Sequence, residues 1–290
     1  MLEQILITGL TVSAVYSLLA IGFSLVFGVA RIINLAHTAL YMLAAYLIYM
    51  LTYLLGLGVL LSLMASIIVT TAIGAATYKS LIERIREHEI TVIIVTVALA
   101  LVIQEVMFIA FGARYHGIDS YIPGSTELLG VRVSNQHLLT LGVAAFCTAI
   151  TSVFLFKTKT GLAIRVTAQD REIANLMGIN VDAMCLTAVA LAAALAAVAG
   201  AIVAPIFVVE PHMWMSPLVM VMAIVVLGGL GSIKGSFVGA FILGYAETLV
   251  VFLFPMGSFI KASVAIAIMV AVLLIKPEGL FGAVFEEERL

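Results

Sequence analysis

Apolar runs, each about as long as a membrane is thick, follow one another along almost the whole chain. They fall at residues 5–27, 38–55, 57–78, 91–111, 138–156, 183–208, 217–230, 236–254 and 259–275. A hydrocarbon core of about 30 Å takes about 20 helical residues, so most of these runs predict transmembrane helices. Residues 217–230 are too few by that measure and predict a half-helix or a re-entrant segment sheltered among its neighbours. The expected fold is all-α: a polytopic helix bundle of eight or nine membrane segments, forming one domain over residues 1–290.

The polar stretches are short, with one exception. Residues 157–180 read KTKTGLAIRVTAQDREIANLMGIN and carry Lys157, Lys159, Arg165 and Arg171 against Asp170 and Glu172, in a chain that is only 10% charged. Thr160 and Gly161 precede a short helical reading. Asp170 suits the N-cap of a second one, with Glu172 in its first turn, where negative charge favours the helix dipole. Gly178 fits the left-handed position that closes such a helix, and Asn180 or Asp182 can cap the next membrane segment. Leu162, Val166, Ile173, Leu176 and Met177 add an apolar stripe. On physical grounds alone such a segment lies in the membrane interface about as often as it docks into a partner.

Composition agrees with the pattern. The chain is 64% hydrophobic with a mean hydropathy of +1.25, more apolar surface than a soluble core absorbs. The net charge of −2 says little, but its distribution orients the bundle. With the N-terminus outside and all nine segments crossing, Arg31, Lys79, Arg84, Arg86, Lys157, Lys159, Arg165, Arg171, Lys234, Lys276 and Arg289 fall inside. Only Arg114, Arg132 and Lys261 then fall outside. Residues 157–182 are thereby expected in the cytoplasm of a prokaryotic cell, below its inner membrane. If residues 217–230 turn back without crossing, the segments after them invert. The N-terminus lacks the positive region of a cleavable signal and is expected to be retained.

A few polar groups sit where lipid would penalise them. Asn34 and His37 follow the first span, three residues apart; the bland reading is a satisfied interfacial turn. Gln104 and Glu105 lie within the fourth span and Glu247 late in the eighth. Ionisable groups at such depth face a bundle interior or a wet cavity, although a structural pair with another helix accounts for Glu105 equally well. Residues 113–137 are expected to cap the outer surface. Trp214 and His212, beside Pro211 and Pro217, read as an outer interfacial belt. Gly228, Gly231, Gly235 and Gly239, like Ala193, Ala197 and Ala201, recur at spacings that let helices approach closely. Cys147 and Cys185 read as packing residues, and Glu286, Glu287 and Glu288 as a solvated tail.

Motifs for chemistry fail. GGLGSIKGS is neither a phosphate loop nor a dinucleotide fingerprint, and His88-Glu89 is followed by Val92 where a zinc-protease helix needs histidine. No nucleophile elbow or metal-ligand spacing occurs, and the scattered basic residues suggest no nucleic-acid partner. No enzymatic activity and no cofactor is expected. That leaves transport.

The spacing Glu172-Ile173-Ala174, three residues, then Gly178 resembles the EAA loop of ABC importer permeases, whose glycine-ended helix fits a cleft on the ATPase. INLAHTALYMLAAY (33–46), GLAIRVTAQDREIANLMGIN (161–180), VLGGLGSIKGSFVGAFILGYAE (226–247) and IKPEGLFG (275–282) together resemble the branched-chain amino acid ABC transporter permeases, importers of hydrophobic amino acids. The likeness is greatest to the shorter of that system's two permeases. It implies a membrane subunit paired with a second related permease, two cytoplasmic ATPases and an external solute-binding protein, working by alternating access. It also implies that Gly161, Arg165, Asp170, Glu172, Ala174 and Gly178 form the ATPase-coupling surface. Asn34, His37, Glu105, Gly231 and Glu247 become candidates for the translocation pathway or a gate. Two departures stand out: Thr38 where relatives usually carry glycine, which puts a tight turn there in doubt, and Lys234 where they often carry a small residue. Relatives that handle urea or short amides keep those substrates open. From a different class, an ion-coupled secondary transporter working through Glu105 and Glu247 is the alternative.

Overall fold

The computed structural model describes residues 2–128 and 131–282. Arg289 and the acidic run Glu286–Glu288 lie outside the described residues. Eight helices are long and apolar enough to span a bilayer. In chain order these are α1 (Leu2–Ala30), α2 (His37–Leu54), α3 (Val59–Ile82), α4 (Glu89–Phe111), α5 (Asn135–Lys157), α8 (Val181–Val203), α10 (Ile233–Leu253) and α11 (Gly257–Ile275). Three shorter helices complete the set: α6 (Lys159–Gln169), α7 (Arg171–Leu176) and α9 (Met215–Gly228). The predicted spans and helices coincide to within a few residues.

The centre of the bundle is α1, packed against α8, α10 and α5, with α2 and α9 completing the interior. Small residues make this possible. Ala192, Ala193, Ala196, Ala197, Ala199 and Ala201 bury one flank of α8, and at Gly200 a side chain would strike the Tyr41 carbonyl of α2. By contrast, α3, α4, α5 and α11 keep most of their apolar surface outside the bundle, the surface that lipid or further protein must cover.

The chain does not run straight from one span to the next. Helix α1 ends at Arg31, whose φ of +49° is left-handed. Residues 31–36 then fold back into the bundle. The Leu35 N–H donates to Thr96 Oγ1 of α4 at 3.3 Å, and Asn34 Oδ1 accepts from the Ala36 N–H at 3.1 Å. His37, the first residue of α2, sits 3.1 Å through Nε2 from the Leu19 carbonyl, about 16 Å above the end of α1 by helical rise. Thus α2 starts deep in the bundle. The turn is carried by Arg31, and Thr38 is an ordinary helical residue, so the missing glycine costs no turn there.

A second interruption follows α8. The helix stops before Pro205, which lacks an amide hydrogen, four to five residues earlier than the apolar run suggests. Residues 204–214 are irregular and held at three points. His116 and Val209 form a backbone bridge, the Tyr121 hydroxyl donates to the Ala201 carbonyl at 2.8 Å, and Trp214 Nε1–H donates to Gln104 Oε1 at 2.9 Å. Trp214 is buried, which corrects its reading as an interfacial belt: its polar edge is spent on Gln104, inside the protein. From there α9 descends about 20 Å to Gly231, which packs on Gly28 at the end of α1. The short helix and its irregular approach therefore complete one passage. After it, α10 begins at the end where α1 finishes, and the tail returns there too, Leu280 and Phe281 donating to the Leu227 and Gly228 carbonyls.

Loop 113–137 does cap the far end. It carries an antiparallel hairpin, β1 (Ser125–Leu128) with β2 (Val131–Ser134), which the sequence reading missed. Asp119 Oδ2 accepts from the Tyr53 hydroxyl at 2.9 Å, and Gln136 Nε2–H donates to the Ile202 carbonyl at 3.1 Å.

Candidate functional site: two cavities on one helix and a surface that grips its end

Helix α1 lines a cavity at each end. The far cavity, about 490 Å³, is bounded by Thr8, Val12, Tyr16 and Leu19 of α1, by the irregular segment, and by Glu247 and Lys261. The near cavity, about 550 Å³, is bounded by Phe27 and Gly28, the fold-back residues Arg31 and Ile32, Gln169 and Gly231. Both lie within the size range of small-molecule sites. Along α1, Phe23 lies between the stretches that line the two cavities; it and His37 are almost wholly buried and set edge-on with ring centroids 6.1 Å apart. Gly22 admits the imidazole: a Cβ there would lie 2.9 Å from His37 Cε1.

The five pathway candidates are spread along the bundle. Gly231 borders the near cavity and Glu247 the far one. His37 is buried against the Leu19 carbonyl of α1, and Asn34 lies in the fold-back before α2 and lines neither cavity. Asn34 and His37 do not share a helical face, because Asn34 precedes α2. Glu105 is different. It lies on the exposed face of α4, touched by Gln104 Nε2–H at 3.3 Å, and borders neither cavity.

Glu247 brings a partner that the charge count placed on the outer side. Lys261 lies one turn into α11 and its Nζ donates to Glu247 Oε1 at 2.6 Å. Glu247 is 7% exposed, and its Oε2 makes no hydrogen bond of good geometry among the described residues, with the Tyr16 hydroxyl beside the carboxylate. A lysine inside the run 259–275 was the available signal, since a cation in a span needs an anion or water.

Beneath the near cavity, residues 157–180 fold as read. Thr158 caps α6 through the Gly161 N–H, and Asp170 Oδ1 accepts from the Glu172 and Ile173 N–H groups to cap α7. Gly178 closes α7 at φ +80°. The six proposed coupling residues divide, however. Gly161 is buried against Phe154 and Leu155, and Ala174 is fully enclosed. Arg165 donates through Nε to the Leu155 carbonyl near the end of α5 at 3.0 Å. Glu172 and Gly178 are exposed, beside the apolar side chains of Leu162, Ile173, Leu176 and Met177.

Arg171 has the most consequential contact. Its Nη2 and Nε donate to the Val29 carbonyl at 2.8 and 3.3 Å, satisfying one of the orphan acceptors at the end of α1. Cys185 approaches the same carbonyl, Sγ at 3.7 Å. Arg86 pairs with Asp182 at 2.6 Å and fixes the start of α8. The α6–α7 platform is thus fastened through Arg165 and Arg171 to α5 and α1, both of which line the far cavity.

The chain is similar to known proteins in fold and in sequence. A structure titled PsaBC from Streptococcus pneumoniae in complex with Fab superposes with a TM-score of 0.50 at 17% identity, covering 96% of this chain and 92% of that one; it shares the fold. The high-affinity branched-chain amino acid transport system permease protein BraD of Pseudomonas aeruginosa is 30% identical over 96% of this chain and 95% of its own length. LivH of Escherichia coli K12, of the same description, is 27% identical with the same coverage. The probable branched-chain amino acid transport permease protein LivH of Methanocaldococcus jannaschii is 30% identical over 97% of this chain and 93% of its own. Residues 5–275 match the family described as branched-chain amino acid transport system / permease component, and the chain, a multi-pass membrane transport permease, belongs to that family.

Proposed function

We propose that this chain is one permease subunit of an ABC importer, taking branched-chain or other hydrophobic amino acids from an external solute-binding protein. Two cytoplasmic ATPases drive it and a second, related permease completes the pathway. The carrying observation is the α6–α7 platform. It presents an exposed apolar patch (Leu162, Ile173, Leu176, Met177) with Glu172 at its edge, at the end of the molecule that collects most of the basic residues. A patch of this kind on a capped, rigid support suits a partner's cleft.

In this reading the platform end faces the cytoplasm and the N-terminus is outside. A movement of a docked ATPase passes from α7 through Arg171 to the end of α1, and along α1 to Phe23 and its neighbour His37. The Phe23–His37 layer then opens one cavity as the other closes. Loading the far cavity is the task of the external binding protein.

The test is uptake of radiolabelled L-leucine into proteoliposomes. The chain alone should transport nothing, and the complex with ATPases, second permease and binding protein should transport only with ATP inside. ATP-independent uptake by the purified chain would overturn this reading in favour of an ion-coupled carrier.

A further inference from the structure

The far cavity holds a charge pattern that most of its lining does not call for. Val12, Val15, Leu19, Val203, Ile206 and Met213 give it apolar walls, with Glu210, His137 and His212 also on its border, and α10 and α11 place a carboxylate and an ammonium side by side within it. By helical rise Glu247 lies about 9 Å, and Lys261 about 6 Å, below the far ends of their helices, well inside the span. A buried ion pair is a weak way to join two helices, since desolvating both charges offsets most of their attraction. Here the pair is also incompletely used. Glu247 Oε2 makes no hydrogen bond of good geometry among the described residues, although the Tyr16 hydroxyl lies beside this carboxylate, and Lys261 makes one of the three hydrogen bonds its ammonium can donate.

We propose that Glu247 and Lys261 form a binding site for zwitterionic amino acids, reading the α-ammonium and the α-carboxylate together. This rests on the importer reading above and deepens it. A free amino acid carries opposite charges a few bonds apart, on the scale of the Glu247–Lys261 contact. When it enters, Glu247 takes the α-ammonium and Lys261 takes the α-carboxylate through its spare N–H groups. The net charge of the cavity, which Glu210 also borders, is left unchanged because the ligand is itself neutral. No ion therefore has to be buried unpaired, which is the costly step for an amino acid crossing a membrane. The aliphatic side chain lies against Val12, Leu19 and Ile206. A carboxylate alone or an amine alone satisfies one member of the pair and strands the other, and a neutral amide satisfies neither well. The same arrangement selects against urea and short amides.

The experiment compares the assembled importer in proteoliposomes with Glu247→Gln, Lys261→Met and the double variant. L-leucine is the transported probe, and 4-methylpentanoate, 3-methylbutylamine and acetamide are competitors. Wild-type uptake should be inhibited by unlabelled leucine and not by the three competitors. Each single variant should lose uptake by at least about tenfold, and the double variant should be no better than the singles. Complex assembly, read by copurifying ATPase, should persist in all three. If the pair only joins α10 to α11, the double variant, which leaves no stranded charge, recovers near wild-type uptake, and the proposal falls. Wild-type transport of acetamide but not leucine would overturn the zwitterion site while leaving the importer standing. Leucine uptake by the chain without ATPase would overturn the importer reading instead, and the variants would still judge the pair.

Discussion

Gly161 and Gly178 belong to one motif and carry opposite duties. A side chain at 161 would run into the Phe154 carbonyl and Leu155, whereas nothing lies within 4 Å of where one would sit at 178. Gly161→Ala is expected to destabilise the chain by about 1–3 kcal/mol through overpacking, seen as a lower melting temperature of the purified protein. Gly178→Asp meets no obstacle, and aspartate tolerates the left-handed conformation at a cost of about 1 kcal/mol. It should leave the chain in the membrane and prevent stable ATPase binding; normal ATPase stoichiometry in a detergent pull-down would count against this. Sequence spacing found both glycines but not the difference, because the neighbour that crowds Gly161 belongs to α5. The same limit applied to Gln104 and Glu105. Adjacent residues on a helix point about 100° apart, so one meets Trp214 while the other faces outward. Trp214→Phe keeps an aromatic side chain but removes the donor and part of the buried volume, and should lower stability by at least about 1–2 kcal/mol in the same melting assay.

Among the elements, the helices were legible because their apolar runs are long and uninterrupted. The fold-back at residues 31–36 was not. RIINLA is mostly apolar and reads as the edge of a span, and only a partner on another helix, Thr96, reveals its depth. Arg165 belongs to the coupling surface that the resemblance implies, yet both it and Arg171 reach carbonyls near the ends of α5 and α1. Orphan carbonyls at a helix end attract any donor within reach, and which helix end is within reach is a property of the packed bundle. A consequence can be measured. Arg171→Met should keep the platform folded, since Asp170 still caps α7, and should keep the ATPase bound. Leucine uptake should fall by at least about tenfold with ATP hydrolysis retained. Equal loss of ATPase binding would assign Arg171 to the docking surface instead.

For the molecule as a whole, the alternation of the last segments turned on α9, which is too short to span yet completes a passage because residues 204–214 already enter the bundle. Lys234 and Lys276 therefore belong to the same end as Arg31 and the platform. With Cys147 and Cys185 replaced by serine, a single cysteine at Tyr53 should react with an impermeant thiol reagent in intact cells. One at Lys234 or Lys276 should react only after permeabilisation, and the reverse pattern would invert the orientation proposed here. Finally, the platform grips α1 by the Val29 carbonyl, a group that every residue type presents alike. The side chain at position 29 is thus irrelevant to whatever force passes through the contact, while its partner at 171 is not. Inheritance should treat the two sides unequally: at position 29, substitutions that keep the buried packing can accumulate without breaking the linkage, and second-site revertants of a defective platform should arise around Arg171 and not at Val29.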